Sequence, residues 1–363
     1  MQLEIDWKCI VMLGPAAGRP LSIATYIRAL ISQNQEFHQP LERDAVAAWK
    51  QFRFNWLLIA MALAIFDLCL LLTDFQIRPR GYLIALAVAC FYGVCGYRSA
   101  RSFPGRPQIF SMLTGFGQTT LLISVLTSVT YIAATAGLPL RDAQLLAIDQ
   151  AIGFDFHAFL SFVNDRTWLV AILAFGYGAI SWPICLIVLG LPMLGHYQRS
   201  AAYISAVLLA LAVTCCISII VPAIGVYHAL GLTISDFSNI DAPGYNDTLR
   251  DLPMLRAGAL RTLDLEHLGG VITFPSFHAA MAVLCSWALW PFRWVRPLNL
   301  AVNGAMLLAT PVGGGHYLVD VLAGVTVAVG SIYAARYGPG LIDRLERRVA
   351  TPGRDPIEAN ASC

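Results

Sequence analysis

An all-α polytopic membrane helix bundle is what this sequence predicts, and three observations predict it. Hydrophobic residues make up 57% of the 363 and charged residues only 13%, a balance too apolar for an ordinary water-soluble domain. About eight apolar runs approach the ~20 residues that a ~30 Å hydrocarbon core demands. Arginines recur after alternate runs, so one face of the bundle collects them, as cytoplasmic loops do.

Taken in order, residues 1–50 carry most of the polar sequence and are expected to form a peripheral extension, punctuated by Gly14, Pro15, Gly18 and Pro20. No basic segment leading into an apolar core and a small-residue cleavage site opens the chain, so no cleaved signal peptide is expected. Residues 51–340 form one membrane domain, and 341–363 a cytoplasmic tail. The spans are placed at about Phe54 to Thr73, Tyr82 to Tyr97, Ile109 to Ala136, Trp168 to Gly190, Ala201 to His228, Pro275 to Trp290, Leu298 to Val312 and His316 to Ala335. Arg98, Arg101 and Arg106 follow the second, Arg199 the fourth, Arg293 and Arg296 the sixth, and Arg336, Arg344, Arg347 and Arg348 the eighth. The connections of about 137–167 and 229–273 then lie outside. Arg78 and Arg80, on the first outer connection, depart from the rule. Leu145 to Phe156 shows near-helical apolar spacing with polar interruptions and reads as a helix lying in the interface.

A net charge of +2 with no basic block argues against nucleic acid as a partner. Nine cysteines show neither C-x-x-C nor zinc spacing, so they read as small core residues. His228 and Asp67 read as satisfied structural groups, and His157, His196 and His267 as solvated ones.

The chemistry concentrates in two stretches. Gly313-Gly314-Gly315-His316-Tyr317-Leu318-Val319-Asp320 sets His316 and Asp320 four residues apart, hence on one helix face, within a segment where ionisable groups are costly and point to function. Phe274-Pro275-Ser276-Phe277-His278 opens another span, and both stretches are expected at the outer face. A neutral imidazole can attack phosphorus while a carboxylate holds its ring, which suits His316 and Asp320. His278, with an ordinary imidazole pKa of ~6.5, suits protonation of a leaving oxygen. Ser276, the N–H groups around Phe277 and the Gly314–Gly315 turn offer donors for an anionic phosphoryl group. Each part has a blander reading: Pro275 as a first helical residue with Ser276 or Thr273 as cap, and the glycines as a tight turn. A metal triad of His278, His316 and Asp320 is the lesser chemical alternative, since no carboxylate cluster accompanies them. A transporter with a buried His-Asp relay is the alternative of another class.

These residues resemble the type 2 phosphatidic acid phosphatase and haloperoxidase superfamily, whose signature is written K-x6-R-P, P-S-G-H and S-R-x5-H-x3-D. Pro275-Ser276-Phe277-His278 is similar to the second part, with Phe277 for Gly. His316 to Asp320 is similar to the end of the third, with Ala309-Thr310 at the S-R positions. The first part has no counterpart, the only lysines being Lys8 and Lys50. These departures resemble the bacterial branch of inositol phosphorylceramide synthases, over roughly residues 140 to 335. The resemblance implies a six-helix phosphatase-like core and a lipid phosphate as substrate. It implies His316 as the nucleophile of a phosphohistidine, Asp320 as its orienter, His278 as acid and Ser276 as a phosphate contact. No metal or other cofactor is implied, and the expected setting is a bacterial inner membrane with the site facing the periplasm or exterior. Arg256 and Arg261 are expected, by position, to supply the positive charge that the missing motif residues would have brought.

Overall fold

The computed structural model describes residues 23–102, 106–233 and 236–350, with side chains between residues 43 and 340. The chain divides into Met1–Arg43 and Asp44–Cys363, and the second unit carries everything that follows. Its elements are helices joined by short connections: α1 (Ile23–Leu72), α2 (Pro79–Ser102), α3 (Pro107–Ala133), α4 (Asp142–Ala151), α5 (Phe156–Asn164), α6 (Thr167–Gly178), α7 (Trp182–Met193), α8 (Tyr197–Ile220), α9 (Val226–Ala229), α10 (Pro243–Arg256), α11 (Phe277–Leu289), α12 (Arg296–Gly314) and α13 (Leu318–Ala350). The only strands among the described residues, β1 (Gln76–Ile77) and β2 (Thr262–Leu263), pair in parallel. The all-α membrane bundle expected from composition is therefore what forms.

The span count differs from eight. Among the described residues, five helices are long and apolar enough to cross a bilayer, and two bent pairs raise the number to seven. The predicted span Trp168 to Gly190 breaks by 57° between α6 and α7. Pro183 sits at the start of α7, where a missing N–H and a ring that clashes with the preceding turn stop α6 from running on. Helix α11 holds 13 residues, about 20 Å at 1.5 Å per residue, short of the hydrocarbon thickness. Helix α12 spends two core positions on buried Asn299 and Asn303, which lowers its apolar content. The stretch read as one interfacial helix is the other pair, α4 and α5, bent by 83° where Asp155 caps α5 through the Ala158 N–H at 2.9 Å.

The core bundle packs α8 against α3, α11 and α13, α12 against α6 and α11, and α2 against α3. Midway along it lies a network of neutral polar groups. Asn55 donates to Gln118 Oε1 at 3.1 Å and to the Ala201 carbonyl at 3.0 Å. Gln51 donates to Ser205 Oγ at 2.6 Å and the Ala335 carbonyl at 3.1 Å; Ser205 also bonds Asn55, and Gln118 donates to the Phe52 carbonyl at 2.9 Å. Four helices, α1, α3, α8 and α13, are thereby cross-linked in an apolar interior, where each unmade bond would cost.

The three connections expected outside do meet at one end. The β1–β2 pairing joins the first to the third, and Asp142 of the second accepts the N–H groups of Ile224 and Gly225 at 3.0 and 2.8 Å. Arg78 and Arg80, the exceptions to the charge rule, face Asp264 at 2.8 Å and Glu266 at 3.6 Å, so their charge is locally balanced. Cys215 and Cys285 are buried, while Cys90, Cys185 and Cys216 are exposed, so only some cysteines are core residues. Cys9 and Cys363 lie outside the described residues.

Candidate functional site

The site forms where the α12–α13 turn meets the start of α11. Helix α12 ends at Gly315 in the left-handed conformation, φ 64°, which a glycine adopts without the Cβ penalty other residues meet. His316 and Tyr317 follow in the turn, and α13 begins at Leu318. His316 is 4% exposed and Asp320 not at all. His316 Nδ1 lies 3.3 Å from Asp320 Oδ2, and the same oxygen accepts the Tyr317 N–H at 2.9 Å. The carboxylate thus fixes both the ring and the backbone that carries it, as the spacing of four predicts. Asp320 Oδ1 has no partner among the described residues. With Nδ1 committed, Nε2 is the edge left to react. A Cβ at Gly314 would stand 2.9 Å from that Nε2 and 2.5 Å from Cδ2, so a glycine there keeps the edge uncovered.

The second motif is bound to the first directly. The Ser276 N–H donates to the Asp320 carbonyl at 3.0 Å, and a Cβ at Gly324 would collide with the Ser276 carbonyl oxygen. Ser276 caps α11, its Oγ accepting the Ala279 N–H at 3.3 Å. His278 follows on the first turn, within electrostatic range of His316. The ring of Tyr177, from α6, stacks on His278 with centroids 4.1 Å apart and planes 14° from parallel. Its hydroxyl also lies 3.1 Å from where a Gly314 Cβ would be, so Tyr177 reaches from His278 toward the Nε2 edge of His316.

Two aspartates hold the turn from behind. Asp149 accepts the N–H groups of Leu318 at 2.6 Å and Val319 at 3.0 Å, and Asp142 accepts the Tyr317 hydroxyl at 2.9 Å. Tyr227 donates to the Val312 carbonyl at 2.8 Å, and the Val226 N–H to the Gly315 carbonyl at 2.8 Å. Neither aspartate belongs to a motif. The available signal was their spacing of seven, which puts both on one face of α4.

The structure brings together His316, Asp320, His278, Gly314 and Gly315, and gives the other candidate residues partners of their own. Ser276 is wholly buried and serves as the cap that its position equally predicted. The N–H groups of Tyr317, Leu318 and Val319, just past the glycine turn, are taken by Asp320 and Asp149. Arg256 donates instead to the Leu138 carbonyl at 2.7 Å. Arg261 donates to the Leu255 carbonyl at 2.7 Å, pairs with Asp74 at 2.9 Å and covers the Phe75 ring. Both arginines satisfy carbonyls at loop and helix ends nearby, which position in sequence does not reveal. Arg250 pairs with Asp251 at 2.6 Å in the wall of a separate polar cavity of about 440 Å³. Burial pushes the Asp251 carboxyl up, but hydrogen bonds from Arg250 and Tyr131 overcome it and hold it below the usual carboxylate range. Among the described residues, no lysine or arginine bonds to His278, His316 or Asp320.

No group of three or more His, Cys, Asp or Glu poised to hold a metal occurs among the described residues. An imidazole backed by a buried carboxylate, with its Nε2 edge uncovered and a second imidazole in the same site, has the parts for nucleophilic displacement with acid assistance.

No curated protein and no solved structure gives a significant match. A family model described as the PAP2 superfamily matches residues 143–334, more than half of the chain, from the turn-holding aspartate Asp149 through both histidine segments to α13. The chain therefore belongs to the PAP2 superfamily, which comprises phosphatases and phosphotransferases.

Proposed function

We propose that this protein is a membrane-embedded lipid-phosphate phosphatase or phosphotransferase that works through a phosphohistidine on His316. The observation that carries this reading is the buried His316–Asp320 pair whose free Nε2 edge faces the Tyr177–His278 stack. In the first half-reaction Nε2 attacks phosphorus, the bond to the leaving oxygen breaks, and His278 supplies the proton that oxygen needs. Asp320 stabilises the imidazolium that His316 becomes. In the second half-reaction His278 takes a proton from water or an acceptor alcohol, whose oxygen displaces His316. The start of α11 leaves the N–H groups of Phe277 and His278 without intrahelical acceptors, and these remain available to an anionic oxygen.

A cavity of about 220 Å³ borders Tyr177 and Gly313, with Val170, Leu173, Ala174, Ile240 and Val312 making most of its wall and Asp241 its one acidic residue. Apolar walls beside the reacting groups suit the hydrocarbon of a lipid substrate. The arginine distribution favours a site at the outer face. Water and alcohol share the first half-reaction, and the departures from the phosphatase signature favour headgroup transfer of the inositol phosphorylceramide synthase type.

Purified protein incubated with phosphatidylinositol labelled in the headgroup phosphate, with and without ceramide or diacylglycerol, tests both levels. A labelled lipid product marks transfer and a labelled water-soluble phosphate marks hydrolysis. Replacement His316→Ala is expected to abolish either while the protein still folds; undiminished turnover in that variant overturns the nucleophile.

A further inference from the structure

The family signature supplies its phosphate with cationic donors, and among the described residues none is bonded at the site. One side chain that no motif marks stands where such a donor would act. Tyr177 is pressed into a cradle of glycines. A Cβ on Gly313 would lie 2.7 Å from the Tyr177 ring, and a Cβ on Gly244 would overlap its hydroxyl. The ring is thereby fixed from the side opposite His278. The hydroxyl has no hydrogen-bond partner among the described residues. It lies 3.1 Å from the point, marked by a Cβ on Gly314, that is 2.9 Å from His316 Nε2. One phosphoryl group seated on Nε2 would bring an oxygen within its reach.

We propose that Tyr177 is a further catalytic residue: its hydroxyl donates to a phosphoryl oxygen during attack by His316, while its ring holds His278 in line with the leaving group. This rests on the phosphohistidine reading above. A preorganised neutral donor aimed at an oxygen that gains charge in the transition state contributes roughly 10²- to 10³-fold in turnover. A tyrosine also suits an apolar setting better than a free cation, since its burial carries no charge to desolvate.

Orthovanadate is the probe, because its pentacoordinate form mimics the transition state. Its binding to the detergent-solubilised full chain is measured for the wild type, His316→Ala, Tyr177→Phe and Tyr177→Leu, with the melting temperature of each. Tyr177→Phe keeps the stack and removes only the donor. It is expected to melt like the wild type, bind vanadate at least about tenfold more weakly and turn over about a hundredfold more slowly. Tyr177→Leu also frees His278 and is expected to lose the acid-assisted limb of the pH profile. A phenylalanine variant with unchanged vanadate affinity and turnover, in a protein where His316→Ala abolishes both, overturns the role of Tyr177 alone. Vanadate binding that is absent in the wild type, or survives His316→Ala, overturns the phosphohistidine reading beneath it.

Discussion

Two buried polar clusters in this bundle differ in kind. The mid-bundle cluster of Gln51, Asn55, Gln118 and Ser205 is built of neutral groups that bond to one another and to backbone carbonyls. The cluster at the α12–α13 turn is built of imidazoles, carboxylates and tyrosines, and it keeps loose ends: Asp320 Oδ1 and the Tyr177 hydroxyl have no partner among the described residues. A closed neutral network holds helices in register. An ionisable one with spare valences keeps its surplus for a ligand, and the protein bears the desolvation of those groups for that reason.

The sharpest way to break this contrast is Asp320→Asn. The turn keeps most of its shape, but the His316 ring loses its charged partner, and turnover is expected to fall about 10²- to 10⁴-fold with a small change in melting temperature. A variant that unfolds without a specific loss of turnover would make the turn cluster structural, like its neighbour. Next in size is Asp149→Ala, which removes the acceptor of two N–H groups at the start of α13. It is expected to cost about 1–2 kcal/mol in stability and, because α13 carries Asp320, to slow turnover severalfold; both are read by denaturation and steady-state kinetics in detergent. Asn55→Ala should do the reverse, costing about 1 kcal/mol while turnover per folded molecule stays unchanged. The smallest effect concerns acid. Asp251 has its folded pKa below the unfolded value, so it adds stability that is complete above the unfolded carboxylate pKa of about 4 and fades as the pH falls through the lower folded value. Asp251→Asn is expected to flatten that acid limb of the melting curve and leave the neutral range nearly level; an unchanged limb would mean that the Arg250 and Tyr131 bonds contribute nothing.

The difference between the clusters also explains what could be read from the chain alone. His316 and Asp320 are legible because a spacing of four on a helix and a charge in an apolar run are both local signals. Their union with His278 was legible from the placement of both segments at one face and from the resemblance, but the contact itself was not, since Ser276 and Asp320 stand 44 positions apart and no local pattern encodes their bond. Asn55 and Gln118 passed unnoticed because an amide in a span resembles any tolerated polar residue until its partner is seen. Tyr177 passed because an aromatic in a membrane helix is unremarkable by type. The partners of Arg256 and Arg261 were not legible because the carbonyls they bond belong to loop and helix ends whose geometry is not written in sequence spacing. The overlong span at Trp168 to Gly190 shows the converse, since Pro183 announces the break and hydropathy averaged over the run conceals it.

The bond from the Ser276 N–H to the Asp320 carbonyl, with bare backbone at Gly324 pressed against the same residue, ties the turn that leads into His278 to the residue whose carboxylate holds His316. A tilt of either helix carries both imidazoles together and leaves the gap between them unchanged. On the proposed reading, making room for a bulkier acceptor would therefore require coordinated changes on both helices.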